Sequence, residues 1–86
     1  MQLKYSQNFL AQSQGLPVAI QNKLARLLDL LASDPFHPLL HTKQLAGNLD
    51  QAHSFRITRD WRVIFTFESN EVIKLIRVAH RKDVYR

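Results

Sequence analysis

Two arginines six residues apart, Arg56 and Arg62, carry the clearest chemical signal in the chain. They lie in a run from His53 to Phe67 that alternates like two strands. Phe55 and Ile57 share one side of the first strand, and Trp61, Val63, Phe65 and Phe67 share one side of the second; Ser54, Arg56, Thr58, Arg62, Ile64 and Thr66 take the opposite sides. For both apolar sides to face one core, Ile57 must lie across from Trp61, Phe55 from Val63, and Arg56 from Arg62. That requires an odd loop of about three residues centred on Arg59, because a two-residue turn would set Ile57 against Arg62 and mix the faces. Two guanidiniums side by side repel each other and pack no core. The pairing therefore predicts a bound anion, and two planar forks suit a phosphate. The competing reading is a merely solvated outer face, the ordinary state of an antiparallel sheet.

Other residue types narrow the chemistry. Four histidines invite a metal, but His37 and His41 are separated by Pro38, and neither a cysteine nor an acidic cluster accompanies them, so no metal or other cofactor is expected. His53 falls on the Phe55 side and reads as packing, as does Trp61. Gly15 and Gly47 are the only glycines, which excludes a glycine-rich phosphate loop.

The elements that position the arginines follow from length and pattern. A chain of 86 residues with 45% hydrophobic residues is expected to be a single domain over 1–86. The absence of cysteine fits a reducing compartment, and there is neither a membrane-length apolar run nor a signal-peptide core, so a cytoplasmic location without membrane attachment is expected. Twelve Lys and Arg against seven Asp and Glu give a formal charge of +5, concentrated in the C-terminal half, which favours a polyanion or an acidic partner.

Met1–Tyr5 alternates as a short strand, and Ser6 can cap a helix over Gln7–Gln14 that ends at Gly15. Ile20, Leu24, Leu27, Leu28 and Leu31 form one stripe of a second helix, about Pro17 to Ala32, stopped by Asp34-Pro35. Phe36–Leu40 is expected to be irregular, Lys43–Leu45 extended, and Gly47–Asp50 a turn into the hairpin. Val72–Val78 is apolar on both faces and is expected to be an interior strand. Simple alternation puts Lys74 and Arg77 on opposite faces of it, which leaves its register unread. Ala79–Arg86 reads as a turn and tail. The fold class is α+β in β-α-α-β-β-β order, two N-terminal helices packed on one face of a curved, mainly antiparallel four-stranded sheet.

Three segments together resemble the RelE/ParE superfamily of bacterial type II toxins: Leu40-His-Thr-Lys-Gln-Leu-Ala-Gly-Asn-Leu, Ser54-Phe-Arg-Ile-Thr-Arg-Asp-Trp-Arg-Val-Ile-Phe, and Val78-Ala-His-Arg-Lys-Asp-Val-Tyr-Arg. The resemblance covers nearly the whole chain and is nearest the RelE-like mRNA interferases. It implies a toxin that cuts mRNA in the ribosomal A site and is silenced by a cognate antitoxin wrapped around it in a hetero-oligomer. The ParE-like branch would instead imply a non-enzymatic inhibitor of DNA gyrase, and a third alternative is an inactive relic that only binds antitoxin.

Carried over residue by residue, the resemblance puts Arg62 at the family's phosphate-binding arginine and Tyr85 at a C-terminal aromatic that is catalytic in some members. His80 or Arg81 occupies a position held by histidine, lysine or arginine, and the match is ambiguous between the two. Arg56 falls where some members have a basic residue or histidine, Asp60 where one subgroup has an aspartate, and Lys43 in the basic strand before the glycine.

RNA cleavage by its own 2′-hydroxyl needs a base, cations on the pentacoordinate phosphate, and an acid for the leaving 5′-oxygen. Arg56 and Arg62 suit the phosphate. Imidazole exchanges protons near neutrality, which makes His80 the natural proton-transfer group. Tyr85 could act with cations beside it, or stack on a base. Lys43, Arg59, Arg81 and Lys82 complete the expected RNA contacts. Against these roles stand a solvated loop histidine and a tyrosine that pins the tail.

Overall fold

The computed structural model describes residues 1–45 and 52–83. The expected Gly47–Asp50 turn lies outside them. In chain order the elements are β1 (Gln2–Tyr5), α1 (Gln7–Gln14), α2 (Val18–Ser33), a short 3-10 helix (Pro38–Leu40), β2 (Lys43–Gln44), β3 (Ala52–Arg56), β4 (Trp61–Phe67) and β5 (Val72–His80). Among the described residues no helix is long and apolar enough to cross a membrane.

Both helices start and stop for local reasons. The Ser6 hydroxyl accepts the Phe9 backbone N–H at 3.0 Å and caps α1. Pro17, with φ at −54°, leads into α2, and Asp34, extended before Pro35, ends it. The leucine stripe is core: Leu24, Leu27 and Leu31 are buried, and Ile20 and Leu28 pack partly buried against them. Each fully buried leucine contributes about 1.5–3 kcal/mol. The segment expected to be irregular contains the 3-10 turn, capped by His37, whose Nδ1 accepts the Leu39 N–H at 3.1 Å.

The sheet has five strands in the order β1-β5-β4-β3-β2, with β1 parallel to β5 and the other pairs antiparallel. This corrects the expected strand count. The sheet is five-stranded because Lys43 and Gln44 pair with Ser54 and His53, a contact too short to leave an alternation signal. It is mainly antiparallel, as expected, but mixed, because β1 runs parallel to β5; a four-residue alternation marks a strand but not its direction. β5 is interior, as its two apolar faces require.

Both helices cover one face of the sheet. Phe9, Leu24, Leu27 and Leu31 pack there with Phe55, Val63, Phe65, Ile73, Leu75 and Val78. A smaller cluster of Leu45, Ala52, Ile64 and Ala79 lies on the other face.

A bulge in β5 corrects a further expectation. Ile64 lies across from Arg77 and Phe65 from Leu75, which leaves Ile76 without an opposite residue. Leu75 and Val78, three apart, can then both point into the core, and Lys74 and Arg77, also three apart, both point away from it. Helix α1 holds this irregularity. Because β1 stops at Tyr5, the edge of β5 beyond Leu75 has no strand beside it. The Ser6 N–H donates to the Leu75 carbonyl at 3.0 Å, the Ser6 hydroxyl to the Ile76 carbonyl, and the Val78 N–H to Gln12 Oε1 at 2.7 Å. Ser6, the cap of α1, and Gln12 within it thus do the work of a missing strand.

Candidate phosphate-binding face

Phe55 lies across from Val63 and Arg56 from Arg62, in the register that the apolar pattern demands. Beyond them the Ile57 N–H donates to the Trp61 carbonyl at 2.9 Å, and the chain turns through Thr58, Arg59 and Asp60. Since Ile57 and Trp61 share a hydrogen bond, alternation makes Arg56–Arg62 a non-hydrogen-bonded pair, the class in which Cα atoms come within about 4.5 Å and side chains are closest. Like charges in that position are destabilising. The Arg56 Nε is buried without a hydrogen-bond partner, which adds a cost of about 1–3 kcal/mol. An anion on this pair would offset the repulsion.

Arg62 does more than face outward. Its Nη1 donates to the carbonyls of Thr58 at 2.8 Å and Arg59 at 3.1 Å, which ties the guanidinium to the loop. Although expected to repel its partner and pack no core, Arg62 thus also holds the loop. The loop is fixed from the other side by the residue that follows β5: the Arg81 N–H donates to the Asp60 carbonyl at 2.8 Å, and Arg81 Nε lies 3.5 Å from Asp60 Oδ1. Both of those side chains are about half exposed, so the ion pair contributes at most about 1 kcal/mol and mainly orients the loop.

Register places the remaining residues. On the face away from the helices, one row across the sheet reads Arg56, Arg62, Ala79; the next reads Lys43, Ser54, Ile64, Arg77; the third reads Ala52, Thr66, Lys74. Arg56, Arg62, Lys43, Arg77 and Lys74 thus share one face. The register of β1 adds Lys4 to the third row beside Lys74, and its ion pair with Glu68 at 3.1 Å puts one carboxylate at that end of the face, whereas the pair of Asp60 with Arg81 lies outside these rows. Arg59 sits exposed at the loop tip and Lys82 exposed after β5.

His80 is not brought onto that face. It lies across from Trp61, whose indole packs against the helix-side core, and the two rings meet edge to face with centroids 5.3 Å apart. Its Nδ1 accepts the Lys82 N–H at 3.2 Å, which leaves Nε2 as the available nitrogen. His80 nonetheless stands at the same end of the sheet as the arginine pair, one residue beyond the Ala79 that faces Arg62. Tyr85 lies outside the described residues. His53 packs, as read: its ring stacks on Phe65 at 5.6 Å and meets Phe67 and Phe36 edge-on. Among the described residues no three His, Cys, Asp or Glu side chains converge as metal ligands.

Lys74 and Arg77 are the cations that alternation alone misses. Their signal is the odd spacing itself: Leu75 and Val78 share it, and a single bulge reconciles both pairs.

Comparison with known proteins fits this architecture. Residues 3–80 match the model of the family described as RelE-like toxin of type II toxin-antitoxin system HigB. No curated protein sequence matches the chain significantly. Solved structures share the fold: a YoeB/ParE toxin from Agrobacterium tumefaciens (TM-score 0.80, 20% identity, covering 94% of this chain and 99% of that one), the toxin–antitoxin complex RelE-RelB from the archaeon Pyrococcus horikoshii (TM-score 0.77, 23% identity, 95% and 96%), and YafQ from E. coli (TM-score 0.73, 20% identity, 98% and 97%). Because the family model spans nearly all of β1 through β5, the chain belongs to the HigB-like family of RelE-like toxins of type II toxin–antitoxin systems.

Proposed function

We propose that this toxin is a ribosome-dependent endoribonuclease that cleaves mRNA in the A site and so inhibits translation. The observation that carries the reading is the Arg56–Arg62 pair, two forks on adjacent strands whose mutual repulsion an anion would relieve. In this reading the pair holds the scissile phosphate and neutralises the charge that grows on it in the transition state. His80, through Nε2 at the end of the sheet, and Tyr85 exchange the protons of the attacking 2′-hydroxyl and the leaving 5′-oxygen. The bond from phosphorus to the 5′-oxygen breaks as that to the 2′-oxygen forms, leaving a 2′,3′-cyclic phosphate and a 5′-hydroxyl without a metal ion at the centre. Lys43, Arg59, Arg81 and Lys82 are the flanking RNA contacts.

The partner in this reading is a cognate antitoxin. The similar structures from P. horikoshii and E. coli include complexes of toxin with antitoxin, and a chain of charge +5 suits an acidic segment that folds upon it.

Inducing the protein in growing cells and mapping mRNA 5′ ends tests the activity. New ends inside translated codons are expected. DNA breaks without new ends would replace this reading with gyrase inhibition, and growth unaffected by induction would leave an antitoxin-binding relic.

A further inference from the structure

We infer that Lys74 and Arg77 form a second anion-binding patch that grips the RNA backbone beside the phosphate held by Arg56 and Arg62. The inference rests on the RNA-cleaving reading above and extends it to two residues outside the RelE-like motifs. The bulge at Ile76 is what puts both cations on this face. Across the sheet, Arg77 lies one row from Arg62 and Lys74 one row further. Rows on one face are two residues apart along a strand, about 7 Å, and one extended nucleotide covers a similar step. The cations therefore climb the sheet at the repeat of a single-stranded backbone.

The same face argues for a phosphodiester chain over a protein. Four of its apolar residues, Leu45, Ala52, Ile64 and Ala79, are each no more than 5% exposed, and a fifth, Ile76, is partly buried against them, so the face offers little anchor to a docking peptide, and protein interfaces draw most of their energy from such anchors. Large exposed apolar side chains lie elsewhere, among them Tyr5 at the end of β1, Leu10 in α1 and Phe36 after α2. A row of cations over a largely buried apolar floor suits a ligand recognised by charge. The upkeep of the bulge by Ser6 and Gln12 fits this: a regular β5 would keep one of the two basic residues on the helix side, where it would have to enter the core.

The test measures binding of a fluorescent single-stranded oligoribonucleotide by the parent chain, by Lys74→Gln/Arg77→Gln, and by the charge-preserving Lys74→Arg/Arg77→Lys, over 50–200 mM salt, with thermal melts to verify folding. Each phosphate contact to a single strand adds about 0.7 to the slope of log affinity against log salt. The Gln variant should lose about 1.4 from that slope, so that over this range the parent's affinity falls about sevenfold more than the variant's. The charge-preserving variant should keep the parental slope. Equal slopes for all three, or no binding by the parent at 50 mM salt, would overturn the inference. So would an unchanged RNA slope with lost antitoxin affinity, which would make the patch a protein interface. Cleavage of A-site mRNA by the parent is scored separately: a reduced slope without parental cleavage supports the patch and refutes the nuclease reading, whereas parental cleavage with equal slopes refutes the patch alone.

Discussion

Trp61 and His80 pair across β4 and β5, the indole meeting the imidazole edge-on with planes at 80°. The contact fixes the ring at the rim of the sheet, and the Lys82 N–H on Nδ1 sets which nitrogen is left to act. If Nε2 moves a proton during cleavage, His80→Gln should slow single-turnover cleavage on programmed ribosomes by about 10²–10⁴-fold, while ribosome affinity changes less than about twofold. A parental rate in the variant would remove His80 from the chemistry and turn attention to Arg81.

Arg62 should prove costly to remove on two counts. Arg62→Ala deletes one cation from the phosphate site, which typically costs about 10²–10³ in rate, and also strips the carbonyls of Thr58 and Arg59 of their donor. Stability should fall by about 1–2 kcal/mol in urea titrations. Arg62→Lys keeps the charge but not the fork, so it should recover more stability than activity. A variant as toxic as the parent would refute the phosphate role, and one as stable would refute the loop anchor.

How far this site could be read from the chain depends on what each strand had to satisfy. The β3–β4 hairpin was legible because both strands carry one apolar side, and only one register lets Phe55, Ile57, Trp61 and Val63 share a core; the arginine pair follows from that constraint. β5 is apolar on both faces, so nothing in its own pattern marks where alternation slips, and Lys74 and Arg77 fall on one face only once β4 supplies the register. β2 was legible as the extended stretch Lys43–Leu45, but it is too short and polar to declare itself a fifth strand of the sheet. The hold of Arg62 on its loop is a conformational choice of a long side chain, beyond the reach of any periodicity. His80 was legible as a residue type but not as a position, since its face depends on the strand running in phase from the bulge to its last residue.

The bulge itself predicts a local effect. Gln12→Ala removes the acceptor for the Val78 N–H, in a residue only 5% exposed, and an unpaired buried donor costs about 1–3 kcal/mol. Hydrogen exchange at Val78 should accelerate far more than at Val63 or Phe65, because the neighbouring β4 ladder is untouched. Gln12→Glu retains an oxygen acceptor and should protect the amide. Equal exchange at Val78 in the parent and the Ala variant would mean that the side chain does not hold the strand.

The nuclease reading makes one demand that neither a gyrase inhibitor nor a relic shares. If the 2′-hydroxyl is the nucleophile, an A-site mRNA with a single 2′-deoxy nucleotide on the 5′ side of the scissile phosphate keeps every phosphate that Arg56 and Arg62 could hold and loses only the attacking oxygen. Binding to the programmed ribosome should be nearly unchanged and cleavage at that position abolished, with the all-ribose control ending in a 2′,3′-cyclic phosphate. The outcome is separable from the arginine variants, which should weaken binding and reduce its salt dependence by about 0.7 per contact removed. Cleavage of the 2′-deoxy substrate at the parental rate would require another nucleophile, such as water, and would end the proton-transfer scheme built on His80 and Tyr85.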